Sequence, residues 1–118
     1  MRADKKGFTI IELLVVLVVL GILAAIGLAK FTSLKEQAYV ATMKADLRNL
    51  AVYQMTYWDA NASFFSGDGA AQGFIPSPDV TVNAVSDPGP PPTWSATAAH
   101  PNSLRTCAIT TSLEITCP

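Results

Sequence analysis

Gly7-Phe8-Thr9-Ile10-Ile11-Glu12-Leu13-Leu14-Val15-Val16 opens a run from Phe8 to Ala29 that is apolar or small except at Thr9 and Glu12. A helix of about 20 such residues spans the hydrocarbon core of a bilayer. Arg2, Lys5 and Lys6, opposed only by Asp4, precede it. Basic flanks stay on the cytoplasmic side, which predicts residues 1–7 inside and everything after Lys30 outside.

Two plain readings account for the apolar run. One is a signal peptide cut near Gly27-Leu28-Ala29, which releases a secreted binding module starting at Lys30. The other is a signal anchor. Neither explains Glu12, because an acid at the centre of a membrane helix costs roughly 2.5–3.5 kcal/mol on insertion scales. Glu12 lies nearer the interface, where the cost is lower, but it still needs a partner. A cut between Gly7 and Phe8 supplies one. The new amine at Phe8 stands one helical turn from Glu12, or meets Glu12 of a neighbouring chain.

Lys5-Lys6-Gly7-Phe8-Thr9-Ile10-Ile11-Glu12-Leu13-Leu14-Val15-Val16 resembles the cleavage and methylation motif of type IV pilins and type II secretion pseudopilins. The likeness is close over residues 5–28, and the short leader and Phe8 are similar to the type IVa branch. The resemblance implies cleavage after Gly7 by a prepilin peptidase, which is also a methyltransferase, and N-methylation of Phe8. It implies that Glu12 neutralises the Phe8 amine of an adjacent subunit during assembly on an inner-membrane platform. Many members carry a proline where this chain has Ala29. Proline kinks a helix, so this one is expected to be straighter.

From Lys30 to Trp58 neither Gly nor Pro interrupts a run rich in helix formers. Val40, Met43, Leu47 and Leu50 recur at three- and four-residue steps and predict one buried face. Residues 8–58 as one helix would be roughly 75 Å long. Tyr53, Tyr57, Trp58, Phe64 and Phe65 read as core packing near its end. Residues 59–78 hold Gly67-Asp68-Gly69, Gly73, Pro76 and Pro78 and read as a loop.

Four strands follow in prospect: one around Val80, Val82 and Val85, one over 94–99, then 104–110 and 113–117. With no helix between them, the sheet is antiparallel. A hairpin centred on Ser112 sets Cys107 opposite Cys117 and Ile109 opposite Ile115, all on one face. Facing residues lie within disulfide reach, and two cysteines in an exported chain read as a bridge. The chain-entropy model gives such a loop roughly 2.8 kcal/mol. In the resembled family a disulfide commonly closes a loop similarly placed. The calcium-bound C-terminal loop of the major secretion pseudopilin is not evident, which favours a pilus over a pseudopilus.

The net charge is −1; beyond residue 7 stand five basic and eight acidic residues. A weakly acidic body gives no reason to expect nucleic-acid binding. His100 is the sole histidine. No catalytic, metal-binding or phosphate-binding constellation can be assembled around it, so neither an enzyme nor a cofactor is expected. The expectation is an α+β subunit whose helix projects its apolar half and packs its polar half on a small antiparallel sheet with a C-terminal disulfide hairpin. Its segments are a leader (1–7), an apolar helix (8–29), an amphipathic helix (30–58) and a loop-and-sheet part (59–118). It would sit in the inner membrane as a precursor, then in an extracellular pilus or a periplasmic pseudopilus, with copies of itself as chief partner.

Overall fold

A computed structural model describes residues 7–118; residues 1–6, most of the expected leader, lie outside the described residues. Helix α1 runs Ile10–Asn61 and is followed by strands β1 (Thr81–Asp87), β2 (Thr93–Ala99), β3 (Thr106–Thr110) and β4 (Ile115–Thr116). The chain divides into two compact units, one up to Leu34 and one from Lys35 onward.

In the first unit the helix continues through Gly21, Gly27 and Ala29 without a break. Its large apolar side chains are exposed throughout, from Phe8 to Leu34. It is long and apolar enough to cross a membrane.

In the second unit the expected stripe is the core. Met43, Leu47 and Leu50 are completely buried, and Val40 and Ala51 nearly so. They pack with Val82 and Ala84 of β1, Trp94, Ala96 and Ala98 of β2, and Cys107 and Ile109 of β3. Three alanines on the inward face of the sheet leave space for the long helix side chains. The outward residues Thr81, Asn83, Thr93, Ser95, Thr97 and Thr110 are exposed, the alternation expected of a sheet covered on one side. Val85 falls on this outward face, because it is out of phase with Val82.

The sheet is an antiparallel meander in the order β1-β2-β3-β4. Asp87 pairs with Thr93 across the Pro-rich turn, so the prolines join β1 to β2 as a hairpin. Ile109 pairs with Ile115, the register expected for a turn about Ser112. Cys107 and Cys117 are bonded with Cα atoms 4.1 Å apart. β4 is shorter than the expected 113–117, since Leu113 is taken up in the turn, where its N–H donates to the Thr110 carbonyl at 2.8 Å. β3 starts at Thr106 rather than 104, because residues 100–105 form a loop held to the helix.

The helix extends one turn past Trp58. Asn61 Nδ2 donates to the Tyr57 carbonyl at 3.0 Å, and Ala62 then turns left-handed with φ 54° and closes the helix. The aromatic residues pack as core: Tyr57 lies edge-on to Phe65, Trp58 stacks on Phe64, and Phe64 meets Trp94.

Two polar side chains within the buried helix face hold the long loop. Gln54, fully buried, donates through Nε2 to the Phe65 carbonyl at 2.9 Å and accepts the Phe65 N–H at 3.0 Å. The Asp46 carboxylate accepts the Ser77 N–H at 3.1 Å and the Ser77 hydroxyl at 2.9 Å. Gly69, at φ 80°, sits so close to Phe74 that a Cβ there would lie 3.0 Å from the Phe74 Cβ. A bridge between Gly67 and Ala84 then covers part of the outer edge of β1.

Candidate functional site at the start of the apolar helix

Gly7 and Phe8 form an exposed, non-helical approach to α1. The peptide bond between them joins two exposed residues, and Phe8 is 80% exposed. Thr9 stands at the N-cap. Its hydroxyl accepts the Glu12 N–H at 3.2 Å and donates to Glu12 Oε2 at 3.2 Å. The same carboxylate oxygen accepts the Thr9 N–H at 2.7 Å. This is a reciprocal capping box. It satisfies N–H groups that a helix start leaves free and places negative charge at the positive end of the helix dipole.

Glu12 therefore has a structural role inside its own chain as well as the assembly role expected of it. The pattern Thr-x-x-Glu ahead of an apolar run is a helix-start signature visible in the sequence, and the expectation built on Glu12 and Phe8 alone passed over Thr9. The surroundings of the carboxylate are apolar: Phe8, Ile11, Leu13, Val15 and Val16 line the same surface. One Glu12 oxygen carries both hydrogen bonds described here; a carboxylate has acceptor capacity beyond two bonds. A cation brought to this helix face would find an acid already oriented toward the helix start.

The second expected pair, Cys107 and Cys117, lies in the unit that starts at Lys35 and serves the fold of that unit. Among the described residues there is no group of three or more His, Cys, Asp or Glu side chains suited to a metal ion. His100 stacks on Tyr39, with ring centroids 4.4 Å apart, and its Nδ1 accepts the Asn102 N–H at 3.0 Å.

Residues 2–28 match the family model described as the prokaryotic N-terminal methylation motif. Over 77 residues, 65% of this chain, the sequence is 34% identical to the type II secretion system core protein G of Pseudomonas aeruginosa, covering 54% of that protein. Over 45 residues, 38% of this chain, it is 51% identical to the type IV narrow pilus major component PilA5 of Thermus thermophilus, covering 37% of that protein. The chain thus matches about half the length of the first relative and less of the second. It carries the methylation motif, and it is similar both to a type IV pilus component and to a type II secretion core protein.

Proposed function

We propose that this chain is the structural subunit of a type IV pilus-like filament, made as a membrane-anchored precursor and polymerised through its apolar helix. The observation that carries the reading is Glu12: an acid in an otherwise apolar, exposed helix, four residues past the open Gly7–Phe8 bond. In this reading a prepilin peptidase and methyltransferase removes residues 1–7 and methylates the Phe8 amine. Residues 8–29 then pass from the membrane into a bundle of like helices, residues 30–58 continue into the folded part, and residues 59–118 form its loops and sheet. In the bundle the Phe8 amine of one subunit meets Glu12 of another. A charge in such surroundings is tolerable when paired and costly when unpaired. The Thr9 capping box keeps the acid hydrogen-bonded before a neighbour arrives. Apolar packing of residues 8–29 supplies the cohesion, and an inner-membrane assembly platform supplies the driving machinery.

A second reading, a pseudopilin acting in the periplasm, is favoured by the greater reach of the match to core protein G, 77 residues against 45. Both readings share the processing and the helix bundle and differ in where the filament ends. Mass spectrometry of mature protein from cells tests the common part: an N-terminus at methylated Phe8 is expected, and one at Met1 or Lys30 refutes it. Electron microscopy of material sheared from the cell surface separates the two, with long fibres expected for the pilus.

A further inference from the structure

Leu104 is 99% exposed, the most exposed large apolar residue among the described residues. It does not hang on a loose loop. Ser103 Oγ donates to Glu36 at 2.6 Å, and the Arg105 N–H donates back to Ser103 Oγ at 3.1 Å. At the other side of the loop the His100 ring lies flat on Tyr39 and accepts the Asn102 N–H. The loop 100–105 is thus fastened to helix residues 36 and 39 and presents Leu104 as a fixed apolar knob beside the exposed cation of Arg105. A preorganised knob loses little conformational freedom when it is buried.

Farther along the same helix is a cavity of about 280 Å³ walled by Met55, Trp58, Phe64, Trp94 and Leu113, with Asp59 also lining it. Met55 and Leu113 are about half exposed there. Leu113 has φ 67°, a left-handed conformation that residues with a Cβ rarely adopt. That conformation closes the β3–β4 turn, where the Leu113 N–H donates to the Thr110 carbonyl, and it holds the half-exposed Leu113 side chain at the cavity. Asp59 is exposed in the cavity lining, so the cavity has an acid beside its apolar walls where the knob has a cation.

We propose that Leu104 of one copy seats in the aromatic cavity of the next, with Arg105 facing Asp59. This rests on the filament reading above and adds a contact between folded units to the one between apolar helices. Knob and cavity are different surfaces of one unit, so the contact is head-to-tail and repeats without closing on itself as a pair, as a filament requires. Tyr39 and Trp58 lie nineteen residues apart, so the contact relates copies displaced by about 30 Å along the helix direction.

The test is cross-linking in assembled polymer of the full chain. With Leu104→Cys and Leu113→Cys in one chain, mild oxidation should give a ladder of covalent multimers of this chain. The ladder should exceed that of a Leu104→Cys and Ile75→Cys control by about tenfold or more. Leu104→Asp should lower the polymer recovered by about tenfold while subunit level and the Cys107–Cys117 bond are unchanged; Leu104→Met should retain most of it. Polymer without the ladder, a cross-link to a different protein, or full assembly of Leu104→Asp would overturn the contact while leaving the filament reading in place. If the unaltered chain yields no polymer in its native host, the filament reading fails and takes this contact with it.

Discussion

Leu47 and Leu17 belong to the same helix, yet Leu47 is completely buried and Leu17 is 65% exposed. In the unit from Lys35 onward, the large apolar side chains of the stripe find the inward face of a sheet. In the unit up to Leu34, none of the run from Phe8 to Leu34 is covered. Exposed apolar area on this scale is not tolerated in water. One unit is thus a self-sufficient fold, held by its core, by buried hydrogen bonds and by a disulfide. The other leaves its apolar surface uncovered, and in the filament reading proposed above lipid or other helices cover it. Identical residue types have opposite consequences because the second unit supplies its own partner surface and the first does not.

The largest expected effect falls on the unfinished unit. Glu12→Ala should leave membrane insertion intact, since removing an acid from a membrane helix lowers its cost. Assembly should fall by about a hundredfold or more, because the Phe8 amine is left without its partner in the bundle. Subunit in the membrane fraction and filament in the sheared fraction are measured side by side. Normal filaments built only from this variant would show that the carboxylate serves the capping box alone.

Next comes the disulfide. Cys107→Ser in the full chain, in detergent, should destabilise the folded unit by roughly 2–5 kcal/mol. For a unit of this size that lowers the melting temperature by about ten degrees or more. An unchanged melt would mean that the helix–sheet core holds the hairpin without the bridge.

Gln54→Ala should cost about 2–3 kcal/mol, since it opens a small cavity and leaves the Phe65 N–H and carbonyl without their partner. Hydrogen exchange at Phe65 should rise before that of β2, because the loop is freed first. Uniform acceleration across the sheet would show instead that Gln54 supports the whole core.

Much of the folded unit was legible beforehand. The helix stripe and the register about Ser112 both follow from side-chain periodicity, which the backbone enforces. Asp46 and Gln54 each sit one step along the same stripe, three residues after Met43 and four after Leu50. A polar residue in phase with a buried face signals a partner elsewhere, but periodicity does not say which loop supplies it; Phe65 and Ser77 are 11 and 31 residues away. The loop 100–105 is illegible in the sequence for a similar reason, because its ties to Tyr39 and Glu36 are long-range. At the helix start the acid was conspicuous for its charge, and the threonine that caps it was not.

The smallest expected effect separates the two units most sharply. An added Cβ at Gly21 or Gly27 meets nothing within 4 Å. By propensity alone, Gly21→Ala should strengthen the isolated helix by about 1 kcal/mol. It should leave the melting of the second unit unchanged, since Gly21 lies outside that unit. If Gly21 were simply a weak point in the helix, assembly would be as good or better with alanine. If neighbouring helices approach closely at that position, as small residues allow in membranes, the extra methyl group would hold them apart and filament yield would fall. Circular dichroism of the subunit in detergent reads the first effect and the sheared fraction reads the second. A gain in helix with a loss of filament would place Gly21 at a helix–helix contact, where only the surface of another chain explains its presence.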